Sequence, residues 1–348
     1  MNPTNSTVGW TSEPNGRGTM GLLWSCFATT FLCTWSAIHP NLPGLADSEW
    51  RIFWRRAGYF GLCLLAPELV VLCALDEFID AKEIQSQSPA SNRWSMKKCY
   101  FLAMGGFVFE TNDGVEVARK RLPIKDLYDL LKTGKLSWPE VEECDITDRS
   151  KSDWFIKSLA LVQILWFTTQ IIGRAAQSLA VTTLELFTLG IVFCAVCIYG
   201  LWWAKPFDIR QPIIIDDKTR VTALQESCTR IRVNYGDIIH ESDRIFQLAA
   251  VVIVIIFGGI HVVAWQFHFP TYAEQLTWRI CSIASTIIPI LLVLYSLFSE
   301  EDIVARVFVG LYVVIRLYMF VEMFVSLRSV PASVYKTPEW SNYFPTLG

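Results

Sequence analysis

Residues 245–265 read IFQLAAVVIVIIFGGIHVVAW, and this run contains no Asp, Glu, Lys or Arg. The hydrocarbon core of a bilayer is about 30 Å thick, so a helix needs about 20 mostly apolar residues to cross it. Apolar runs of this length are typical of transmembrane helices rather than of helices in soluble cores. The stretch therefore predicts a membrane span, and it places the chain among integral membrane proteins.

Six more stretches of similar length and character lie on either side of this run. They cover residues 20–38, 57–75, 154–172, 184–203, 280–298 and 303–324. The composition agrees, because 52% of the 348 residues are hydrophobic, against about 45–50% in an ordinary soluble domain. The sequence predicts an all-α fold, a polytopic transmembrane helical bundle of about seven spans, with a kink at Pro67 in the second span.

Polar segments divide these spans into groups. We predict a polar N-terminal segment at 1–19, spans one and two at 20–76, a small extramembrane subdomain at 77–150, spans three and four at 151–204, an extramembrane loop at 205–244, spans five to seven at 245–326 and a C-terminal tail at 327–348. Within the subdomain, the sequence LPIKDLYDLL at 122–131 has the pattern of a short amphipathic helix.

The orientation prediction rests on where the positive charges lie. Segments 77–150 and 205–244 carry most of the Lys and Arg residues, and a seven-span protein would place both on one side together with the N-terminus. The positive-inside rule predicts that this side is cytosolic. The three arginines between spans one and two, Arg51, Arg55 and Arg56, would then lie on the opposite side. An endomembrane such as the ER and the plasma membrane both fit this prediction.

Charge and cysteine usage exclude several classes of protein. The net charge is −3 and the basic residues form no stripe, so we expect the lipid bilayer and not nucleic acid as a partner. Most of the cysteines fall in apolar stretches and behave as small hydrophobic residues. Cys194 and Cys197 have C-x-x-C spacing but no second pair or nearby histidines, so we predict no metal and no cofactor. Asn5-Ser6-Thr7 is a glycosylation sequon that only a lumenal N-terminus could use.

Span three carries a row of large polar and aromatic residues on one helical face. The row consists of Gln163, Trp166, Gln170, Arg174 and Gln177, spaced three or four residues apart. Polar groups are costly at membrane depth, so such a face lines a cavity or binds neighbouring helices. Both interpretations remain open at this point, and we take Gln163, Trp166, Gln170 and Arg174 as candidate cavity-lining or substrate-binding residues.

Glu68 lies near the middle of span two and directly follows Pro67. A carboxyl group in apolar surroundings is able to stay protonated at neutral pH and to act as a general acid. We therefore take Glu68 as the candidate catalytic residue. The alternative is that Glu68 only hydrogen-bonds a neighbouring helix.

Three other ionisable residues of the spans are further candidates for lining a cavity. Glu185 follows Thr182 with capping-box spacing, and it is also placed to pair with Arg174 across a short turn. His261 shares a helical face with His268, but about 10.5 Å of helix separates them, too far to bind one metal. Arg316 in span seven needs a partner on another helix.

Several ordered blocks of sequence resemble a largely uncharacterised fungal family of multi-pass membrane proteins. The blocks are Gly16-Arg17-Gly18-Thr19, Cys26, Cys33-Thr34-Trp35, His39-Pro40-Asn41-Leu42-Pro43, Ala66-Pro67-Glu68, Asp113-Gly114, Asp148-Arg149-Ser150-Lys151 with Asp153 and Lys157, the row on span three, Leu184-Glu185, Trp202-Trp203 with Lys205-Pro206, and Trp340 to Pro345. The resemblance implies fungal origin, an intact full-length fold and a place beside specialised metabolism. It implies no particular reaction.

Two functional hypotheses follow from these residues. The favoured one is a non-enzymatic membrane protein with a role in transport, sensing or scaffolding. The alternative is a membrane-embedded enzyme of fungal specialised metabolism, a cyclase or isomerase acting on an apolar prenylated or polyketide intermediate. In that case Glu68 would supply the proton, Gln163, Gln170 and Arg174 would orient the substrate, and the Trp166 ring would face developing positive charge.

Overall fold

The computed structural model describes residues 6–13, 17–90, 93–112, 117–120, 124–150, 153–215, 244–295 and 302–339. The helices within these ranges are α1 Thr19–Ala37, α2 Glu49–Leu65, α3 Pro67–Gln87, α4 Met96–Ala103, α5 Ile124–Lys132, α6 Glu143–Thr147, α7 Asp153–Ala176, α8 Thr183–Leu201, α9 Arg244–Val262, α10 Tyr272–Tyr295 and α11 Asp302–Val325. The short strands are β1 Thr7–Val8, β2 Phe107–Asn112, β3 Val117–Lys120, β4 Ile213–Ile215 and β5 Val330–Pro331. The sequon residue Asn5, the Asp113-Gly114 block and the Trp340 to Pro345 block lie outside the described residues.

The predicted all-α membrane bundle is confirmed. Six helices, α1 and α7 to α11, are long and apolar enough to cross a membrane, and the α2–α3 pair meets the same test as a seventh, bent unit. Helix α8 lies at the centre, with 67% of its span buried inside the protein, and it packs against α1, α3 and α9. Large apolar side chains cover the outside of the other spans, which is the surface that a bilayer requires.

The predicted kink in the second span is a complete break. Pro67 has no N–H group and disfavours helical geometry at the residue before it, so Ala66 adopts φ −144° and ψ 64°. Helix α2 therefore ends at Leu65, and Pro67 begins α3, where its fixed φ suits the first helical position. The axes of α2 and α3 differ by 116°.

One end of the bundle, which we call the terminal end, holds both described ends of the chain. β1 pairs antiparallel with β5, so that Thr7 lies opposite Pro331. Nearby, the Tyr335 hydroxyl donates to the Gly9 carbonyl at 3.1 Å and lies 2.9 Å from the Thr19 hydroxyl. These contacts hold the residues before α1 against those after α11. Both ends of the described chain therefore lie on one side of the bundle.

The opposite end, which we call the loop end, holds segment 38–48, the described residues of segment 76–150, and segment 202–215. β2 pairs with β3 and, in parallel, with β4, which joins the second of these segments to the third. The Leu42 N–H donates to the Met104 carbonyl at 3.2 Å, which joins the first to the second. The amphipathic helix predicted at 122–131 is α5 and also belongs to this end.

Lys205 connects the loop end to the bundle. Its ammonium is buried and donates to Glu77 Oε2 at 2.5 Å and to Asn41 Oδ1 at 3.1 Å. Burial lowers the pKa of this ammonium, and the Glu77 carboxylate partly opposes that shift. Because Glu77 is on α3 and Asn41 follows α1, this contact holds the second half of α3 at the loop end.

The two helices of the broken pair both reach the loop end. Glu49, at the start of α2, lies 2.7 Å from Arg210, and α3 reaches Lys205 ten residues after its own start. The bend at Ala66 is therefore the deepest point of a re-entrant pair. Within the described residues, six crossing helices then agree with the pairing of β1 with β5, which places the first and last described segments at the same end of the bundle.

This arrangement corrects two sequence predictions about sidedness. The N-terminal segment lies opposite segments 77–150 and 202–215, not beside them, and Arg51, Arg55 and Arg56 lie at the loop end, not across the bilayer from it. The physical reason is the break at Pro67, which sends the chain back to the side from which it came.

Cysteine labelling tests the re-entrant pair. The labelling background carries Cys228→Ser, because Cys228 lies outside the described residues. In this background we expect the exposed native Cys144 to react with a membrane-impermeant maleimide from one side of sealed vesicles. Leu45→Cys, placed before α2 in a background also lacking Cys144, reacts from the same side, whereas Trp10→Cys reacts from the other. Labelling of positions 45 and 144 from opposite sides would show that α2 and α3 form a true crossing.

Candidate functional site

The bend between α2 and α3 exposes backbone groups inside the bundle. The Leu69 N–H bonds the Ala66 carbonyl at 3.1 Å, so the last turn of α2 does not continue into α3. The Leu65 carbonyl is thereby free to accept a bond from another helix, and Arg316 Nε of α11 donates to it at 2.6 Å. A helix end inside a bundle needs such a partner because there is no water to supply one.

Glu68 lies at the start of α3, one turn from this carbonyl. Its side chain is buried, and Oε1 accepts a hydrogen bond from the hydroxyl of Tyr312 on α11. Tyr312 and Arg316 are four residues apart, so they share one face of α11. This face of α11 therefore contacts both sides of the bend. The Tyr312 hydroxyl bonds the Glu68 carboxylate after the break, and the Arg316 guanidinium bonds the Leu65 carbonyl before it.

His261 of α9 completes the cluster. Its Nδ1 lies 3.0 Å from the Phe257 carbonyl, so Nδ1 carries the proton, and Nε2 accepts from Arg316 Nη1 at 3.3 Å. The rings of Phe187 and Phe257 lie 5.2 and 4.8 Å from the guanidinium carbon and stabilise its charge. We call Glu68, His261, Tyr312 and Arg316 the bend cluster.

Gly190 of α8 allows this close approach. A Cβ atom at this position would lie 3.1 Å from the Phe257 ring and 3.3 Å from the His261 ring. A side chain at this position would require the Phe257 and His261 rings to shift, so glycine suits the close contact between α8 and α9.

Two atoms of the bend cluster have no hydrogen-bond partner among the described residues. They are Glu68 Oε2 and Arg316 Nη2, both shielded from solvent. Buried ionised groups are costly even when they are paired, and a bond left unmade adds to that cost. The cluster therefore contains one free acceptor and one free donor, on groups of opposite charge, at the bend of a broken helix.

The row on α7 has different surroundings. Gln163 donates to the Thr29 hydroxyl of α1 at 2.8 Å, which ties α7 to α1. Gln170 is half-buried, and 58% of the Trp166 surface is exposed on the outside of the bundle. Among the described residues, the hydrogen bonds of this row join it to α1, to the turn between α7 and α8 and to the chain beyond α11, but not to the bend cluster. These bonds are those of a face that binds neighbouring segments.

Arg174, at the end of the row, holds the C-terminal segment 330–339 against the turn between α7 and α8. Only 1% of the residue is exposed. Nη1 donates to the Lys336 carbonyl at 2.9 Å, and Nη2 lies within donating distance of the Ala180, Ser333 and Val334 carbonyls at 2.6, 3.1 and 2.9 Å. Gln177 adds two bonds to the backbone of Glu339, at 3.0 and 3.1 Å.

Glu185 has both of the roles that its sequence position allows. It forms a complete capping box with Thr182, whose backbone N–H and hydroxyl each lie 2.9 Å from Glu185 Oε2. Its other oxygen, Oε1, forms an ion pair with Arg17 and lies 3.8 Å from Arg174 Nε. Both carboxylate oxygens therefore have partners, and the group joins the residues before α1 to α7 and α8.

The structure brings together three of the candidates named from sequence and separates the others. Glu68, His261 and Arg316 meet at the bend, whereas Arg174 and Glu185 meet near the terminal end. Tyr312 and the Leu65 carbonyl were missed by sequence reasoning. Tyr312 had a usable signal, because a polar residue one turn before a buried arginine lies on the same helical face.

Fold and site together define a multi-pass membrane protein with a broken helix pair and an ionic cluster at its bend. The sequence model of a protein family, described as a family of unknown function (DUF8562), matches residues 2–241 and 300–347. The chain belongs to that family. The matched ranges include Glu68, Tyr312 and Arg316, and residues 242–299, with α9 and α10, lie between them. No curated protein and no solved structure matches the chain.

Replacing Arg174 tests whether it serves folding. Arg174→Leu removes the donors of the C-terminal segment and leaves Glu185 without this partner, which costs about 3–5 kcal/mol for a broken buried pair. We expect the melting temperature in detergent to fall by roughly 5–10 °C and residues 330–339 to become sensitive to protease.

The matched control is Trp166→Leu, on the same helix but facing outward, which should leave both readouts unchanged. A stable Arg174→Leu protein with a protected C-terminal segment would contradict the structural role.

Proposed function

We propose that this protein is a non-enzymatic transport protein in which Glu68 carries protons and the α2–α3 pair is the part that moves. The observation behind this proposal is the bend cluster, where a buried carboxylate and a buried guanidinium each keep one unbonded atom at a helix break. Ionisable groups inside membrane bundles are commonly part of ion or proton pathways. Broken helices that meet near the middle of the bundle are likewise typical of transporter binding sites.

The chemistry of the cluster supports proton binding at Glu68. Oε1 already accepts the Tyr312 hydroxyl, so a proton would occupy Oε2 without breaking an existing hydrogen bond. Protonation removes the negative charge, and with it the attraction between the start of α3 and the guanidinium of Arg316. The contact between the bend and α11 would then rest on two hydrogen bonds without charge attraction between the helices, from Arg316 to the Leu65 carbonyl and from Tyr312 to Glu68. Loss of one charge therefore loosens the re-entrant pair.

The enzymatic alternative has less support from the contacts. It requires Glu68 and the row on α7 to line one pocket, whereas their hydrogen bonds connect them to different elements. Two grooves of about 420 and 440 Å³ lie on the described surface, and Glu68 lines neither of them. Fungal origin and a place in specialised metabolism, which the resemblance implies, would belong to this alternative.

Proton uptake into liposomes tests the proposed function. The purified chain is reconstituted with a pH-sensitive dye inside, and a potassium gradient with valinomycin drives protons inward. We expect faster acidification than in protein-free liposomes, and we expect Glu68→Gln to reduce the rate to the protein-free level, because an amide keeps the shape but carries no proton.

Glu322→Gln is the matched control. Glu322 is also a buried carboxyl group with an unbonded oxygen, Oε1, but it is six residues beyond Arg316 and outside the bend cluster. We expect this variant to conduct like the wild type. Wild-type liposomes no faster than empty ones, or Glu68→Gln equal to the wild type, would overturn the proposal.

A further inference from the structure

A groove of about 440 Å³ opens at the loop end between the end of α1, the first half of α2 and residues 208–210. Its walls combine aromatic rings, among them Trp35, Trp50 and Phe53, with the guanidinium groups of Arg55, Arg56 and Arg210. None of these residues belongs to the bend cluster. Because the groove offers both aromatic rings and guanidinium groups, it suits a ligand with an apolar part and an anionic part.

The arginines are fixed in place before any ligand arrives. Arg56 Nη2 donates to the Trp35 carbonyl at 3.1 Å, and its guanidinium carbon lies 4.6 Å from the centre of the Trp35 ring. Arg55 Nη2 donates to the Asn41 carbonyl at 3.0 Å, and Arg210 pairs with Glu49 at 2.7 Å. Each guanidinium has five N–H donors, so these bonds leave several donors for an anion.

The carboxylates of the groove do not neutralise it. Asp208 lies 3.8 Å from Arg56 and 3.7 Å from Arg210, which are long distances for ion pairs. Asp208 and Glu49 set two negative charges against three arginines among the lining residues. Beside the lining, Asp47 lies 4.0 Å from Arg55 but is also paired with Arg51 at 3.0 Å, so one positive charge remains. Planar guanidinium groups recognise phosphate oxygens through paired hydrogen bonds, so a phosphate matches both the charge and the donors.

The aromatic residues place this groove at the surface of the bilayer. Trp50, Phe53 and Trp54 are 67%, 47% and 56% exposed, and their rings contact one another along α2. Exposed Trp residues next to apolar spans are typical of the level of the lipid headgroups. Trp50 and Phe53 thus offer an apolar wall to the glycerol and upper acyl chains of a lipid, while the arginines lie at the height of its phosphate.

We propose that this groove binds the headgroup phosphate of an anionic phospholipid. The lipid phosphate bridges Arg56 and Arg210, and its chains lie along the aromatic face of α2. Occupancy holds α2 against the end of α1, and so it stabilises the outer half of the re-entrant pair.

Thermal stabilisation of the full-length chain in detergent tests the site. Phosphatidylserine, phosphatidylcholine with the same acyl chains, and inorganic phosphate are each titrated, since a ligand that binds the folded state raises the melting temperature. We expect stabilisation by phosphatidylserine alone. Arg210→Gln, at an exposed residue, should require about tenfold more phosphatidylserine for half of the effect, as expected for one charge-assisted hydrogen bond.

Arg56→Gln is the second variant, and Arg279→Gln is its matched control. Arg279 has the same arrangement at the terminal end, with Nε donating to the Trp265 carbonyl at 2.9 Å and its guanidinium 5.1 Å from the Trp265 ring. Arg279→Gln should keep the wild-type response, whereas Arg56→Gln and Arg210→Gln should both weaken it. Equal stabilisation by phosphatidylcholine, an equal effect of inorganic phosphate, or an unchanged titration in either groove variant would overturn the proposal.

Discussion

The hydrogen bond from Arg316 to the Leu65 carbonyl is the contact on which the architecture depends. Pro67 breaks the helix inside the bundle and leaves the Leu65 carbonyl without its partner in the helix. Arg316 supplies the missing donor, and Tyr312 on the same face of α11 binds the carboxylate that follows the break. With both sides of the bend held by α11, α3 runs back to the loop end, and β1 and β5 pair at the terminal end.

Two of the buried ionic clusters in the described part of the chain, at Glu185 and at the bend, differ in how completely their carboxylate oxygens are bonded. At Glu185 both carboxylate oxygens have partners, and Arg174 donates to four backbone carbonyls, while its Nε makes no hydrogen bond and lies 3.8 Å from Glu185 Oε1. At the bend, Glu68 and Arg316 each keep an unbonded atom. A carboxylate with both oxygens bonded is held rigidly, whereas a carboxylate with an unbonded oxygen has a site at which it can take up a proton. This contrast is the reason for placing transport at the bend and not at Arg174.

The sequence was sufficient for the helices but not for the path of the chain between them. Runs such as 245–265 predict spans because the length of an apolar run is enough to identify a transmembrane helix. The kink at Pro67 was predictable too, since proline acts locally, as was the capping box of Glu185. The size of the bend was not predictable, because it depends on Arg316, 251 residues later in the chain, donating a hydrogen bond to the exposed Leu65 carbonyl.

For the same reason, the row on α7 left its role open. Spacing shows that Gln163 and Arg174 share a helical face, but not what lies opposite that face. Their partners, Thr29 on α1 and the carbonyls of 333–336, are more than 100 residues away in the chain. Seven similar apolar stretches also imply seven crossings by default. The pairing of β1 with β5 and the contacts of Glu49 and Glu77 show that one of these stretches enters and leaves the bundle at the same end.

A cryo-EM structure of the full-length chain in a lipid nanodisc tests the broken pair most directly. The account predicts that the helix stops at Ala66 within the hydrocarbon region, that Arg316 contacts the Leu65 carbonyl there, and that Glu49 and Glu77 emerge at the same face of the disc. A continuous helix from 57 to 75, with Glu49 and Glu77 at opposite faces, would contradict it.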